Sequence, residues 1–294
     1  MPVLSSARYG KDNVRVCKVD RDEATGTHTV TEMTVCCLLE GKIDESYTVA
    51  DNTPVVATDS MKNTIYIKAK EHPVNPPELF AAILGQHFLD QYAHISAANL
   101  TLVVRRWTRI VVEGRPHPHS FFRDGEETRN VSARVSRADG IELTSALAGL
   151  LVLKSTGSQF HGFIRDEFTT LPETWDRILS TEVDATWRWQ TIPSLQALRD
   201  NVAIFDRAFD DARAITMKTF AEDDSPSVQN TMYKMCAKIL EAAPEVASAS
   251  YSLPNKHYFE IGEFFFFLFS PLFPGYSGFF NRSPLSGNVA RKEE

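Results

Sequence analysis

Residues 14–39 read VRVCKVDRDEATGTHTVTEMTVCCLL, and residue type alternates over 14–20 and again over 27–39. In an extended chain successive side chains point to opposite faces, so each run offers one face to a core and one to polar surroundings. The polar stretch 23–27 between them contains Gly26, which suits a reversal. Together they predict a long β-hairpin.

Two helices follow in the pattern. The first is expected to open near Thr58-Asp59-Ser60, whose short oxygen-bearing side chains can accept free amide hydrogens. The second opens at Asn75-Pro76-Pro77-Glu78, with proline where a missing N–H does no harm, and carries Leu79, Phe80, Ile83, Leu84 and Leu89. Strand-like sequence returns at 100–112, 120–123, 129–135 and 141–153. The second half repeats the order. Leu195, Leu198, Val202, Phe205, Phe209 and Ala212 recur at three and four residues and predict one amphipathic helix. Ser227 opens another, with Val228, Met232, Met235 and Ile239, and an alternating strand spans about 246–261. The pattern predicts an α+β protein with an internal duplication, units at 1–136 and 137–261, each a sheet covered on one face by a helix pair.

Composition supports this. The 294 residues carry 31 Lys and Arg against 38 Asp and Glu, a net charge of −7, with 43% hydrophobic and 23% charged residues. At roughly 150 residues per domain, that length suits two units able to bury a core. The acidic balance without a basic block argues against nucleic-acid binding, where phosphate contacts supply most of the affinity. Cys17, Cys36, Cys37 and Cys236 form no C-x-x-C, and adjacent Cys36 and Cys37 would face opposite ways on a strand. They read as reduced thiols of an intracellular protein. The first residues, MPVLSSARYGKD, lack the basic and apolar regions of a secretion signal.

Residues 262–294 break the pattern, holding eight of the 19 phenylalanines. A membrane anchor needs about 20 uninterrupted apolar residues. Pro271, Pro274, Gly275, Gly278 and Glu263 interrupt this stretch, so no membrane association is expected.

Residue chemistry alone supplies candidates and does not choose among them. His257, beside Asn255, could act as a general base, although a lone strand histidine is more often structural. His117-Pro118-His119 sets two imidazoles on one strand face; lacking a third ligand nearby, they read as a polar surface. Thr58 and Asp59 read as a helix cap, Lys11 as a solvated lysine, Phe160 as a core ring, Arg177 as a surface charge and Gln229 as solvent-facing. Phosphate loops, nucleophile elbows and H-E-x-x-H motifs are missing.

Seven strings carry more information together. ARYGKDNVRV from residue 7, VATDSMKNTIYI from 56, HPHSF from 117, LKSTGSQFHGFIRDE from 153, TWDRILSTEVDATW from 174, FAEDDSPSVQ from 220 and YSLPNKHYFE from 251 resemble the urate oxidase (uricase) family, in the family's order. The resemblance implies the tunnelling fold, with two tandem antiparallel-sheet and helix-pair units assembling as a homotetrameric barrel. It implies oxidation of urate by O2 to 5-hydroxyisourate and H2O2, without metal or organic cofactor. By the same resemblance, Arg177 and Gln229 grip the urate edge, Phe160 stacks on the ring, and the Val228 amide adds a hydrogen bond. Asn255 and Thr58 hold oxygen; Lys11, Thr58 and His257 form the catalytic proton relay, with Asp59 beside it. Thr58 and Asp59 are implied to reach the substrate from a neighbouring subunit. A guanidinium fork and an amide suit a planar anion of alternating N and O atoms. A lysine among a hydroxyl and an imidazole suits proton transfer, since neighbours and burial lower an ammonium pKa.

The family pattern stops after Ile261. Members usually end in a peroxisomal Ser-Lys-Leu-like tripeptide, whereas this chain ends Arg291-Lys292-Glu293-Glu294, so the resemblance implies the peroxisome and the ending the cytoplasm. Codons for Gly262-Glu263-Phe264 can spell a splice donor, and a T-rich intron translates as phenylalanine. On that reading the atypical tail 262–294 replaces the last strand of the second unit, and the alternative function is a truncated, non-catalytic product of a mis-spliced gene. A pterin-acting relative of the same fold is a third reading, but it would need zinc ligands beyond His117 and His119.

Overall fold

The hairpin expected at the start is present, as β1 (Tyr9–Asp22) and β2 (Thr27–Gly41), paired from Tyr9 with Leu39 to Asp22 with Thr27. Gly26 turns the chain at φ +66°, a conformation that costs glycine nothing. Along β2, Met33, Val35, Cys37 and Leu39 are buried, while Thr34, Cys36 and Leu38 between them are only partly covered. The structure, a computed structural model, describes residues 3–256, 258 and 286–291.

After a short helix α1 (Asp44–Thr48), helices α2 (Thr58–Glu71) and α3 (Pro77–Gln91) lie against the buried face of the sheet. Met61, Ile65, Phe80, Leu84 and Phe88 are fully buried there, each contributing about 1.5–3 kcal/mol. Gly85 permits the close approach of α3, because a methyl group at that point would press into the Val135 side chain. Strands β3 (Ile95–Val112) and β4 (Arg115–Ser136) then form a hairpin through Glu113-Gly114, both at positive φ. Such two-residue turns match the natural strand twist.

The same order occurs again in β5 (Gly140–Lys154), β6 (Leu179–Trp189), α4 (Leu195–Asp200), α5 (Ala203–Glu222), α6 (Val228–Ala242), β7 (Val246–Ser252) and β8 (Ser286–Ala290). The eight strands among the described residues form one antiparallel sheet in chain order, with β1 and β8 at its edges. Trp187, Tyr251, Phe205 and Met235 fill the second half of the core. Among the described residues, no helix is long and apolar enough to cross a membrane.

Two expectations are corrected. The single helix read across Leu195 to Ala212 is two, α4 and α5, broken at Asn201, whose side-chain amide donates to the Ala197 carbonyl and diverts the helix ladder. The missing last strand is present: residues 286–290 pair with β7, from Ser248 with Ala290 to Ser252 with Ser286. The residue that follows repeats a device of the first unit. Beyond β4, Arg137 donates from Nε to the Ile95 carbonyl and from Nη2 to those of Leu89 and Tyr92, closing the end of α3. Beyond β8, Arg291 does the same to Val246, Leu240 and Ala243 at the end of α6. Each helix leaves carbonyls without intrahelical donors, and a cation suits that end.

Candidate functional site

Lys154 ends β5 and Leu179 starts β6, and the connector between them carries Ser158, Phe160 and Arg177. Asp176 gathers its two ends by accepting from the Thr156 hydroxyl at 2.8 Å and the Gly157 amide at 2.9 Å. Those bonds hold its carboxyl below the ordinary carboxylate range. Phe160 and Thr174 exchange backbone hydrogen bonds of 2.8 and 2.9 Å. The Arg177 guanidinium is thereby set over the Phe160 ring, 5.1 Å from its centroid, with Nε 3.4 Å from the oxygen of fully buried Ser158. Partial burial lowers the Arg177 pKa, and among the described residues its Nη donors make no hydrogen bond, which leaves a fork that suits an anion.

The start of α6 is tied to the same connector. Ser225 accepts from the Gln159 amide at 2.8 Å and donates its own amide to the Gly157 carbonyl at 3.0 Å. Its hydroxyl lies 2.8 Å from that of Thr231, which donates at 2.6 Å to Asp223, and Lys234 Nζ meets the other carboxylate oxygen at 2.6 Å. Burial alone would raise the Asp223 pKa, but Lys234 and Thr231 outweigh it and the net shift is downward. Ser227 caps α6 through the Asn230 amide, while its hydroxyl donates to Gln229 Oε1 at 3.1 Å. Gln229 is exposed and Val228 is buried, its amide among the first of a helix and so without an intrahelical acceptor. Asn255 bridges Thr181 on β6, with the Lys256 amide donating to the Ser180 carbonyl at 2.8 Å. His257 lies outside the described residues.

Lys11, Thr58 and Asp59 form a second group at the other end of the sheet. Gly10 is required there, because a Cβ would land on the Cys37 carbonyl, and a bulge follows between Lys11 and Val14. The Tyr9 hydroxyl receives the Val56 amide at 2.5 Å and contacts the Val56 carbonyl at 3.3 Å, fixing the chain that enters α2 beside β1. The expected cap does not form: the residue flanking α2 is Ala57, without a side-chain cap, and Thr58 is the first helical residue. Asp59 instead accepts from Lys62 at 2.6 Å and Asn63 at 2.9 Å, and Lys62 above all holds its pKa down, with a smaller effect from Lys11. Among the described residues the Thr58 hydroxyl makes no hydrogen bond and Lys11 no ion pair. The two groups are separated by five strand steps from β1 to β6, roughly 24 Å along the sheet at about 4.8 Å per step.

The His117 and His119 rings meet edge-on at 4.5 Å, and the structure adds His28, 5.6 Å from His119. Among the described residues no cluster of three His, Cys, Asp or Glu is arranged to hold a metal ion. Tyr9, Asp176, Asp223, Ser225 and Thr231 were not singled out by sequence reasoning. Asp223 and Ser225 lie in the FAEDDSPSVQ string, but their contacts cross between elements that only folding brings together.

The Uricase family model matches residues 7–134 and 143–271. The chain belongs to the uricase family. It is 61% identical over 261 residues to the uricase of Aspergillus flavus, covering 89% of this chain and 86% of the relative, and 37% identical to that of Arabidopsis thaliana. The crystal structure of uricase from Arthrobacter globiformis, 34% identical, superposes with a TM-score of 0.86 over 100% of this chain and 96% of that one. The fold is therefore the uricase tunnelling fold, and the activity is oxidation of urate in purine degradation. A truncated, non-catalytic product is not favoured, given the length shared with these uricases. The pterin-acting alternative falls with it.

Proposed function

We propose that this uricase binds urate between Arg177, Gln229, the Val228 amide and the face of Phe160, and completes each site with Lys11, Thr58 and Asp59 of a neighbouring copy. The observation that carries this reading is the division of these residues into two groups at opposite ends of one open sheet. Among the described residues the β1 and β8 edges are unpaired, and an unpaired edge invites another strand. Head-to-tail pairing of copies would close the sheet and bring one copy's β1 beside another's β7 and β8. A homotetramer built this way would have its sites at subunit interfaces.

In the reaction, urate, O2 and water give 5-hydroxyisourate and H2O2. The urate anion is electron-rich enough to reduce oxygen itself, so the residues fix the anion, position oxygen and move protons. Arg177 supplies charge-assisted donors at the ring edge. Asn255 and Thr58 offer polar groups to oxygen or water above the ring. Lys11, Thr58 and His257 carry protons between water, substrate and reduced oxygen.

Co-expression of a Lys11→Met chain with an Arg177→Ala chain tests the shared site. Each alone should be nearly inactive. In mixed oligomers, some interfaces pair an intact Lys11 with an intact Arg177, so urate turnover should reappear. Verified mixed oligomers without turnover would overturn the shared site.

A further inference from the structure

Phe160 has a second ring against it. The Phe163 centroid lies 4.7 Å away, with the planes only 12° from parallel. The Arg165 guanidinium lies over Phe163 at 5.5 Å and anchors itself by donating from Nη1 to the Leu171 carbonyl at 2.9 Å. Gly162 makes the column feasible: at φ +69° it bends the chain so that residue 163 returns toward residue 160, and its amide donates to Glu173 at 2.9 Å. A β-carbon at that φ would be strained.

A ring has two faces, and a parallel neighbour at this distance fills one of them. We propose that Phe163 backs Phe160, as a positioning residue that holds the ring's plane for urate stacking beside Arg177, whose guanidinium also lies over the ring at 5.1 Å. This rests on the reading that Phe160 stacks on the purine. The physical need is local. Phe160 is half-buried on a connector, and Thr174 fixes its backbone but not its side-chain torsions. An unsupported ring would populate several staggered positions, and ordering it at each binding event would cost affinity. Phe163, itself held under Arg165, orders the ring beforehand.

The test combines steady-state urate kinetics with anaerobic urate binding, where no turnover occurs, on the full chain. Phe163→Ala should weaken urate binding and raise KM by roughly three- to tenfold, the scale of an aromatic pair. A preformed platform serves ground state and transition state alike, so kcat should stay within about twofold. Phe163→Tyr should restore binding, whereas Phe163→Leu, which fills space without a ring, should not. In the Phe160→Leu background, removal of Phe163 should add little. Wild-type binding by Phe163→Leu would reduce the role to packing and overturn the proposal. So would tighter binding by Phe163→Ala, since Phe163 would then occupy the substrate's face. If Phe160→Leu itself leaves urate binding unchanged, the stacking reading fails; if it weakens binding and Phe163→Ala does not, only the backing role fails.

Discussion

Glu78 and Gln229 are each the second residue of a 15-residue helix whose far end is closed by an arginine beyond the unit's last strand, Arg137 for one and Arg291 for the other. In the first unit that position is sealed. Glu78 is fully buried, 2.7 Å from Arg129 and 2.6 Å from the Ser145 hydroxyl, which also accepts from the Trp189 indole. Arg129 reaches on to Asp206 of α5 at 2.6 Å, so the pair joins the two units. In the second unit Gln229 is exposed, on the helix whose start is tied to the connector of Arg177 and Phe160. The strand pairs account for much of this difference. β1 and β2 are joined by a tight turn at residues 23–26, whereas β5 and β6 are joined by the long connector that carries Ser158, Phe160 and Arg177. One scaffold position is thus a buried structural clasp in one copy and an exposed amide, proposed above to contact urate, in the other.

The largest break in this comparison should come from Glu78→Ala. It leaves the Arg129 charge with only the half-exposed Asp206, and removing one partner of a buried pair costs about 3–5 kcal/mol. Urea unfolding should show that loss, while turnover per folded molecule stays near normal. A loss of turnover with stability intact would give the first unit a role in the site.

The two arginine clasps sharpen the comparison at a smaller scale. Arg137→Ala and Arg291→Ala should each cost about 1.5–3 kcal/mol, as charged donors to helix-end carbonyls are lost. Equal losses in parallel melts would mark β8 as a true counterpart of β4. A silent Arg291→Ala beside a costly Arg137→Ala would deny that equivalence.

The smallest effect is expected at Asp223, whose carboxylate ties the end of α5 to α6 through Thr231 and Lys234. Its folded pKa lies below the ordinary 3.8, so the stability it contributes is present above that value and is lost as pH falls through the lowered one. Asp223→Asn should cost about 1 kcal/mol at neutral pH, in thermal melts compared across pH. The gap between variant and wild type should close in strong acid. A gap that persists there would assign the loss to packing.

The site was legible in unequal parts. Arg177, Gln229, Phe160, Asn255, Lys11 and Thr58 were readable because they sit in strings that resemble a family. Taken singly, Arg177, Gln229, Phe160, Lys11 and Thr58 each had a bland reading, and for exposed Gln229 that reading describes the chain by itself. The supports were illegible: Asp176, Ser225 and Thr231 act through backbone amides and hydroxyls that no spacing rule pairs.

The sequence by itself determined the first hairpin, helices α2, α3 and α6 and the strand-rich stretch from 100 to 153, since periods of two and of three to four residues are local properties written directly in residue type. It also determined the family and the activity. The tertiary structure alone decided that α4 and α5 are separate, that 286–290 restore the last strand, and that the candidate site lies in two groups at opposite ends of one sheet. Those outcomes depend on which distant backbone groups meet, and a periodic pattern records which face a residue takes but not which partner it finds there.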